Sequence, residues 1–175
     1  CLLNGGFVTH QRKSSYRQSR GVVVKDLLGA DNLEKAIKEY NYNDIEPFTI
    51  VAANWQSELL FFELVWDGEQ SHVKRLSKET HIWSSSTLYD DEIKAVRKKW
   101  FETFENKNDL NVDSLLNFHK TAGIGDKDKD LQIDRGVLKT ISITQIVKNE
   151  EEISMRYENL QNDKVNTVIF ETVTA

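Results

Sequence analysis

The spacing of apolar positions along the chain switches between a strand-like period of two and a helix-like period near 3.6, and the switches mark the elements. Leu2-Leu3 and Phe7-Val8 flank Asn4-Gly5-Gly6, which predicts strand, turn, strand. Residues 10–19 are polar and basic and read as loop. Ser19 caps a short helix over residues 22–28, or Val22-Val23-Val24 forms a strand; Gly29 ends either. Asp31 or Asn32 caps a second helix through Tyr40, with Leu33, Ala36, Ile37 and Tyr40 on one face. A turn at 41–47 leads to strands at 48–53 and 58–66, joined by a turn at Asn54-Trp55-Gln56. Asp67-Gly68 is a hairpin signal before a strand at 71–76, and a short strand is expected at 81–83.

After a hydroxyl-rich loop at 84–89, a helix is predicted over 90–106. It buries Ile93, Val96, Trp100, Phe101 and Phe104, with Lys94, Arg97, Lys98 and Glu102 on the opposite face. A shorter helix at 112–119, a Gly- and Asp-rich loop at 122–136 and three antiparallel strands at 137–147, 153–160 and 167–174 complete the pattern. Helices and strands in blocks, ending in a meander, predict an α+β fold with helices on antiparallel sheet, in a single domain over residues 1–175.

Composition narrows the class. With 39% hydrophobic and 10% aromatic residues, the chain has the means to bury a core and is not a disordered tail. One Cys excludes an intramolecular disulfide framework and a Cys-rich zinc ribbon. No apolar run nears the ~18 residues of a membrane span, so a soluble, cytoplasmic protein is expected. The net charge of −5 is uneven: the first 25 residues hold Arg12, Lys13, Arg17, Arg20 and Lys25 and no acid. The remaining 18 basic residues face 28 acidic ones, a balance unsuited to a nucleic-acid-binding surface. The basic start either faces an anionic group or is solvated surface.

Candidate chemistry is sparse. Asp126-x-Asp128-x-Asp130 resembles half a calcium loop, but Leu131 and Val137 stand where Gly and a bidentate Glu are needed. His10, His72, His81 and His119 have no metal-ligand spacing, and no metal or cofactor is expected. Ser84-Ser85-Ser86-Thr87 lacks a nucleophile elbow. Asn4 at a strand end beside two glycines is an ordinary turn or an oxyanion donor. Cys1 opens the chain and Met155 is its single Met, so an upstream segment is expected to have been removed. Cys1 is then either an N-terminal nucleophile or an interior strand residue.

Six stretches, in order, resemble the Asn-Arg-Asp-Glu family, which includes the transport and Golgi organisation protein 2 homologues. They are Leu2-Leu3-Asn4-Gly5-Gly6-Phe7, Tyr16-Arg17-Gln18-Ser19-Arg20-Gly21, Ile45-Glu46-Pro47-Phe48-Thr49, Glu63-Leu64-Val65-Trp66-Asp67-Gly68, Ile82-Trp83-Ser84-Ser85-Ser86-Thr87-Leu88-Tyr89 and Lys139-Thr140-Ile141-Ser142-Ile143-Thr144-Gln145. The likeness is closer to bacterial members than to animal ones. The family's Met-Cys start, its Asn-Arg-Asp-Glu motif and its Gly-Gly-Thr-Trp segment do not occur here, so the resemblance covers the C-terminal two-thirds of a member. It implies an N-terminal-nucleophile (Ntn) hydrolase-like αββα sandwich and hydrolysis of a small-molecule amide or acyl ligand by a Cys in the missing N-terminal segment. Asn4 then matches the oxyanion asparagine, Ser85 stands where related amidases carry a second asparagine, and Lys139 stands near their late arginine. Cys1 becomes an interior strand residue. The alternative implied by animal relatives is a non-catalytic protein that handles haem or acyl-lipid ligands in the same cleft.

Overall fold

The computed structural model describes residues 1–55, 58–150 and 152–171. They divide into two compact units, Cys1–Lys94 and Ala95–Ala175. Helices and antiparallel sheets are both present, so the α+β class holds.

In the first unit, β1 (Leu2–Asn4), β2 (Phe48–Asn54), β3 (Leu60–Trp66) and β4 (Ser71–Leu76) form an antiparallel sheet in that order. Alternation along the strands sends Leu2, Phe48, Ile50, Phe62, Leu64 and Trp66 to one face. Two helices supply the facing residues: α1 (Arg20–Leu28) brings Val23 and Leu27, and α2 (Leu33–Glu39) brings Ile37. Asn32 caps α2 by accepting the Lys35 amide at 2.9 Å. Of the two readings of 22–28 the helix is the one adopted, because Val23 and Leu27 at i, i+4 reach this core together. Tyr42 and Trp66 stack in the middle, and their polar tips are satisfied by carbonyls. Tyr42 Oη donates to Ile37 O at 2.6 Å, and Trp66 Nε1 donates to Ile45 O at 2.8 Å.

Two expected strands are absent from this unit. Phe7 and Val8 leave the sheet and stand exposed, because β1 pairs with β2 and the turn after it swings away at Gly5, φ +86°. Residues 81–83 form no strand either; Trp83 crosses to Glu63, donating Nε1 to Oε1 at 2.8 Å, a side-chain anchor in place of backbone pairing. Of the expected turn Asn54-Trp55-Gln56, Gln56 lies outside the described residues.

The second unit takes in most of α3 (Asp91–Glu105), which begins at the end of the first, together with α4 (Val112–Thr121) and a meander of β5 (Ser142–Lys148), β6 (Glu152–Asn159) and β7 (Lys164–Glu171). Phe101 and Phe118 are buried edge to face, with Phe104 against both. A capping box of Asn111 and Ser114 starts α4. The expected apolar face of α3 needs two corrections. Val96 is exposed, and Arg97, expected outside, is buried: its guanidinium donates to Lys129 O at 3.0 Å and Asp130 O at 2.6 Å. A buried cation met by carbonyls ties the Asp-rich loop to the helix. β5 begins later than residue 137, since Val137 and Leu138 form an exposed turn closed by Arg135 N donating to Leu138 O at 2.8 Å. The end of the last expected strand, 172–174, lies outside the described residues.

Phe62 is 2% exposed at the centre of the first sheet. Phe62→Ala is expected to cost about 3–5 kcal/mol of unfolding free energy, read by urea titration.

Candidate functional site

The geometry around Asn4 is set by hydrogen bonds to the turn that carries it. Three successive carbonyls, those of Asn4, Gly5 and Gly6, each accept a side-chain hydroxyl from elsewhere in the unit. Ser85 Oγ donates to Asn4 O at 2.8 Å and Thr49 Oγ1 donates to Gly5 O at 3.1 Å. Ser86 Oγ donates to Gly6 O. The turn is also held through its amide, as Gly5 N donates to Pro47 O at 3.0 Å. The two glycines are needed for close approach. A Cβ on Gly5 would stand 2.7 Å from Thr87 Cγ2, and one on Gly6 3.0 Å from the backbone of Trp66 and Asp67.

With its carbonyl engaged, Asn4 leaves its carboxamide exposed and without a hydrogen-bond partner among the described residues. Ser85 is 9% exposed and commits its proton to the Asn4 carbonyl, while Thr87 Oγ1 lies 3.1 Å from its oxygen. The structure thus brings Asn4 and Ser85 together, with the hydroxyl on the backbone of Asn4. Lys139 lies in the second unit, exposed, in an isolated bridge with Asp134 just ahead of β5. Cys1 continues the ladder of β1: its nitrogen donates to Val51 O at 2.7 Å and Val51 N donates to Cys1 O at 2.9 Å. A backbone amide at that position would make the same bond. Burial lowers the pKa of this amine, and the thiol is exposed. Strand alternation sets Cys1 and Leu3 on one face and Leu2 and Asn4 on the other.

Two carboxylate–histidine pairs flank the same turn, and neither was assigned a role from the sequence. Asp67, packed against Gly6, accepts the Glu69 and Gln70 amides on Oδ1 and meets His72 Nε2 with Oδ2 at 2.6 Å. The Gln70 amide first, then His72 and the Glu69 amide, hold the Asp67 carboxyl down to about 2. On the other side, Glu46 meets His10 at 3.3 Å and Arg20 at 3.2 Å, and Arg20 NH1 donates to the Pro47 carbonyl that Gly5 also uses. Glu46 and Arg20 both lie in stretches that carried the family resemblance; for Glu46 the signal available was a charge between buried Ile45 and the start of β2.

The Asp-rich loop spends its carboxylates on itself. Asp130 accepts the Ile124 and Gly125 amides at 2.8 and 3.0 Å, and Asp126 accepts the Asp128 amide at 2.9 Å. Among the described residues no cluster of His, Cys, Asp and Glu is placed to hold a metal ion. No described helix is long and apolar enough to cross a membrane. Compared with family models, curated proteins and solved structures, the chain matches none.

Gly5→Ala is expected to destabilise the first unit by about 1–3 kcal/mol, since it forces a side chain into a left-handed backbone against Thr87. Denaturant titration followed by Trp fluorescence reads the loss. A pH effect follows from Asp67, whose carboxyl is more acidic folded than unfolded. Its contribution to stability is complete above the unfolded value near 4 and fades as pH falls towards 2. Asp67→Asn is therefore expected to flatten the fall in melting temperature between those limits.

Proposed function

We propose that the chain forms the greater part of a C–N hydrolase of the N-terminal-nucleophile type, acting on a small amide or acyl substrate. In this reading it is the C-terminal two-thirds of an Asn-Arg-Asp-Glu family member, and its sheets belong to an αββα sandwich. The observation that carries the reading is the Asn4 carboxamide, exposed and unpartnered on a turn whose carbonyls are tied down. An oxyanion donor needs both properties: a free N–H, and a support that does not reorganise as charge develops.

The chemistry asks three things of the protein. A Cys at the start of the upstream segment attacks the substrate carbonyl carbon, and its own α-amine takes the thiol proton. Asn4 donates an N–H to the oxyanion. Collapse expels the amine with that proton and leaves a thioester, which water cleaves to the acid and the free thiol. Cys1 takes no part, since its nitrogen is spent in the ladder to Val51. Ser85 acts through the Asn4 backbone as a positioning residue.

The test is a chain completed with its upstream segment and processed to an N-terminal Cys, assayed on acyl p-nitroanilides. Asn4→Ala is expected to lower kcat by roughly 10²–10³ with little change in KM, the behaviour of a lost oxyanion donor. Equal turnover in wild type and Asn4→Ala overturns the assignment. Ligand retained without turnover favours the non-catalytic handling of haem or acyl lipid.

A further inference from the structure

Around Glu46 the first unit gathers more positive charge than it neutralises. Arg12, Lys13, Arg17 and Arg20 converge on the segment holding Asp44 and Glu46. Lys13 takes Asp44 at 3.2 Å, and Arg17 is held by the neutral carbonyls of Asn41 and Asn43. Glu46 alone is left to answer Arg12 and Arg20, and it also meets His10 Nε2. This is not a solvated face: the side chains of His10, Glu46 and Arg20 are only 17%, 15% and 19% exposed, and His10 Nδ1 is buried with no hydrogen-bond partner. Arg20 and Glu46 answer each other, so the surplus falls on exposed Arg12, which shares Glu46 with Arg20 and His10.

The cluster also touches the turn. Arg20 NH1 and the Gly5 amide meet on the one carbonyl of Pro47, one residue from Asn4. Arg12 is 78% exposed and reaches Glu46 only at 3.8 Å, so its guanidinium fork is free to take a new partner.

We propose that Arg12, Arg20 and His10 form a binding site for an oxyanion, the carboxylate or phosphate end of the ligand whose acyl group reaches Asn4. The oxyanion site rests on the cluster itself, while its link to the acyl group rests on the hydrolase reading. Glu46 plays two parts here. It orients Arg20 and His10, and it competes with the incoming anion for them.

That competition gives the test its sign. The chain is titrated with inorganic phosphate, and separately with acetate, at ionic strength held constant with chloride. The His10 ring and Arg12 Nε–H resonances are followed by NMR. A saturable shift beyond that of chloride is expected from at least one anion, and the stronger of the two identifies phosphate or carboxylate as the ligand's end. Arg12→Gln, at an exposed position, is expected to weaken binding roughly tenfold through loss of a charge-assisted pair. Glu46→Gln is expected to tighten it. A purely structural ion-pair hub does the reverse: Glu46→Gln loosens the fold and no anion saturates. Shifts that chloride reproduces, or an affinity that Glu46→Gln lowers or leaves unchanged while the fold is intact, overturn the site. Anion binding without amide turnover in the completed chain removes the hydrolase reading and leaves the site standing, whereas turnover without anion binding does the opposite.

Discussion

Three side-chain hydroxyls on three successive carbonyls decide what the Asn4 turn is able to do. A backbone carbonyl left bare at a strand end turns towards water and the chain frays with it. Here Ser85, Thr49 and Ser86 replace that water, and the Gly5 amide is closed onto Pro47. The partners of Asn4 and Gly6 come from 80 or 81 residues away, so the turn's own glycines admit the conformation and tertiary structure holds its carbonyls. What these bonds hold is the backbone that carries the Asn4 carboxamide.

The sheet behind the turn explains why the loop of hydroxyls is where it is. Phe48 and Trp66 face each other across β2 and β3 beside Asn4, and both are buried against α1, α2 and Tyr42. The end of the sheet is therefore rigid. Trp83 reaches Glu63, and the residues after it arrive over the turn with their hydroxyls aimed at its carbonyls. Asp67 and Glu46, each with a histidine, stand on either side. Polar groups thus gather at one corner of a unit whose interior is otherwise aliphatic and aromatic.

Much of this was legible in the sequence, and the failures share a cause. The period of Phe48 to Leu76 marked β2, β3 and β4, and Asn32 marked the start of α2, because local patterning and capping act over a few residues. Asn4 stood out by chemistry. What could not be read were partners brought from afar. Thr49 looked like an ordinary strand residue, Arg97 like a surface charge and Ile82-Trp83 like a strand. Each is decided by one long-range contact: Gly5 O for Thr49, the Lys129 and Asp130 carbonyls for Arg97, Glu63 for Trp83. Hydrophobic period reports which face is buried. It carries no information on which carbonyl a hydroxyl or a guanidinium will find.

Backbone ¹⁵N relaxation tests most directly whether the Asn4-Gly5-Gly6 turn is a rigid support. Order parameters at Asn4, Gly5 and Gly6 equal to those of β2, about 0.85, are the expected result. Values below about 0.6 at these positions, beside a rigid β2, would show a mobile turn and contradict the account.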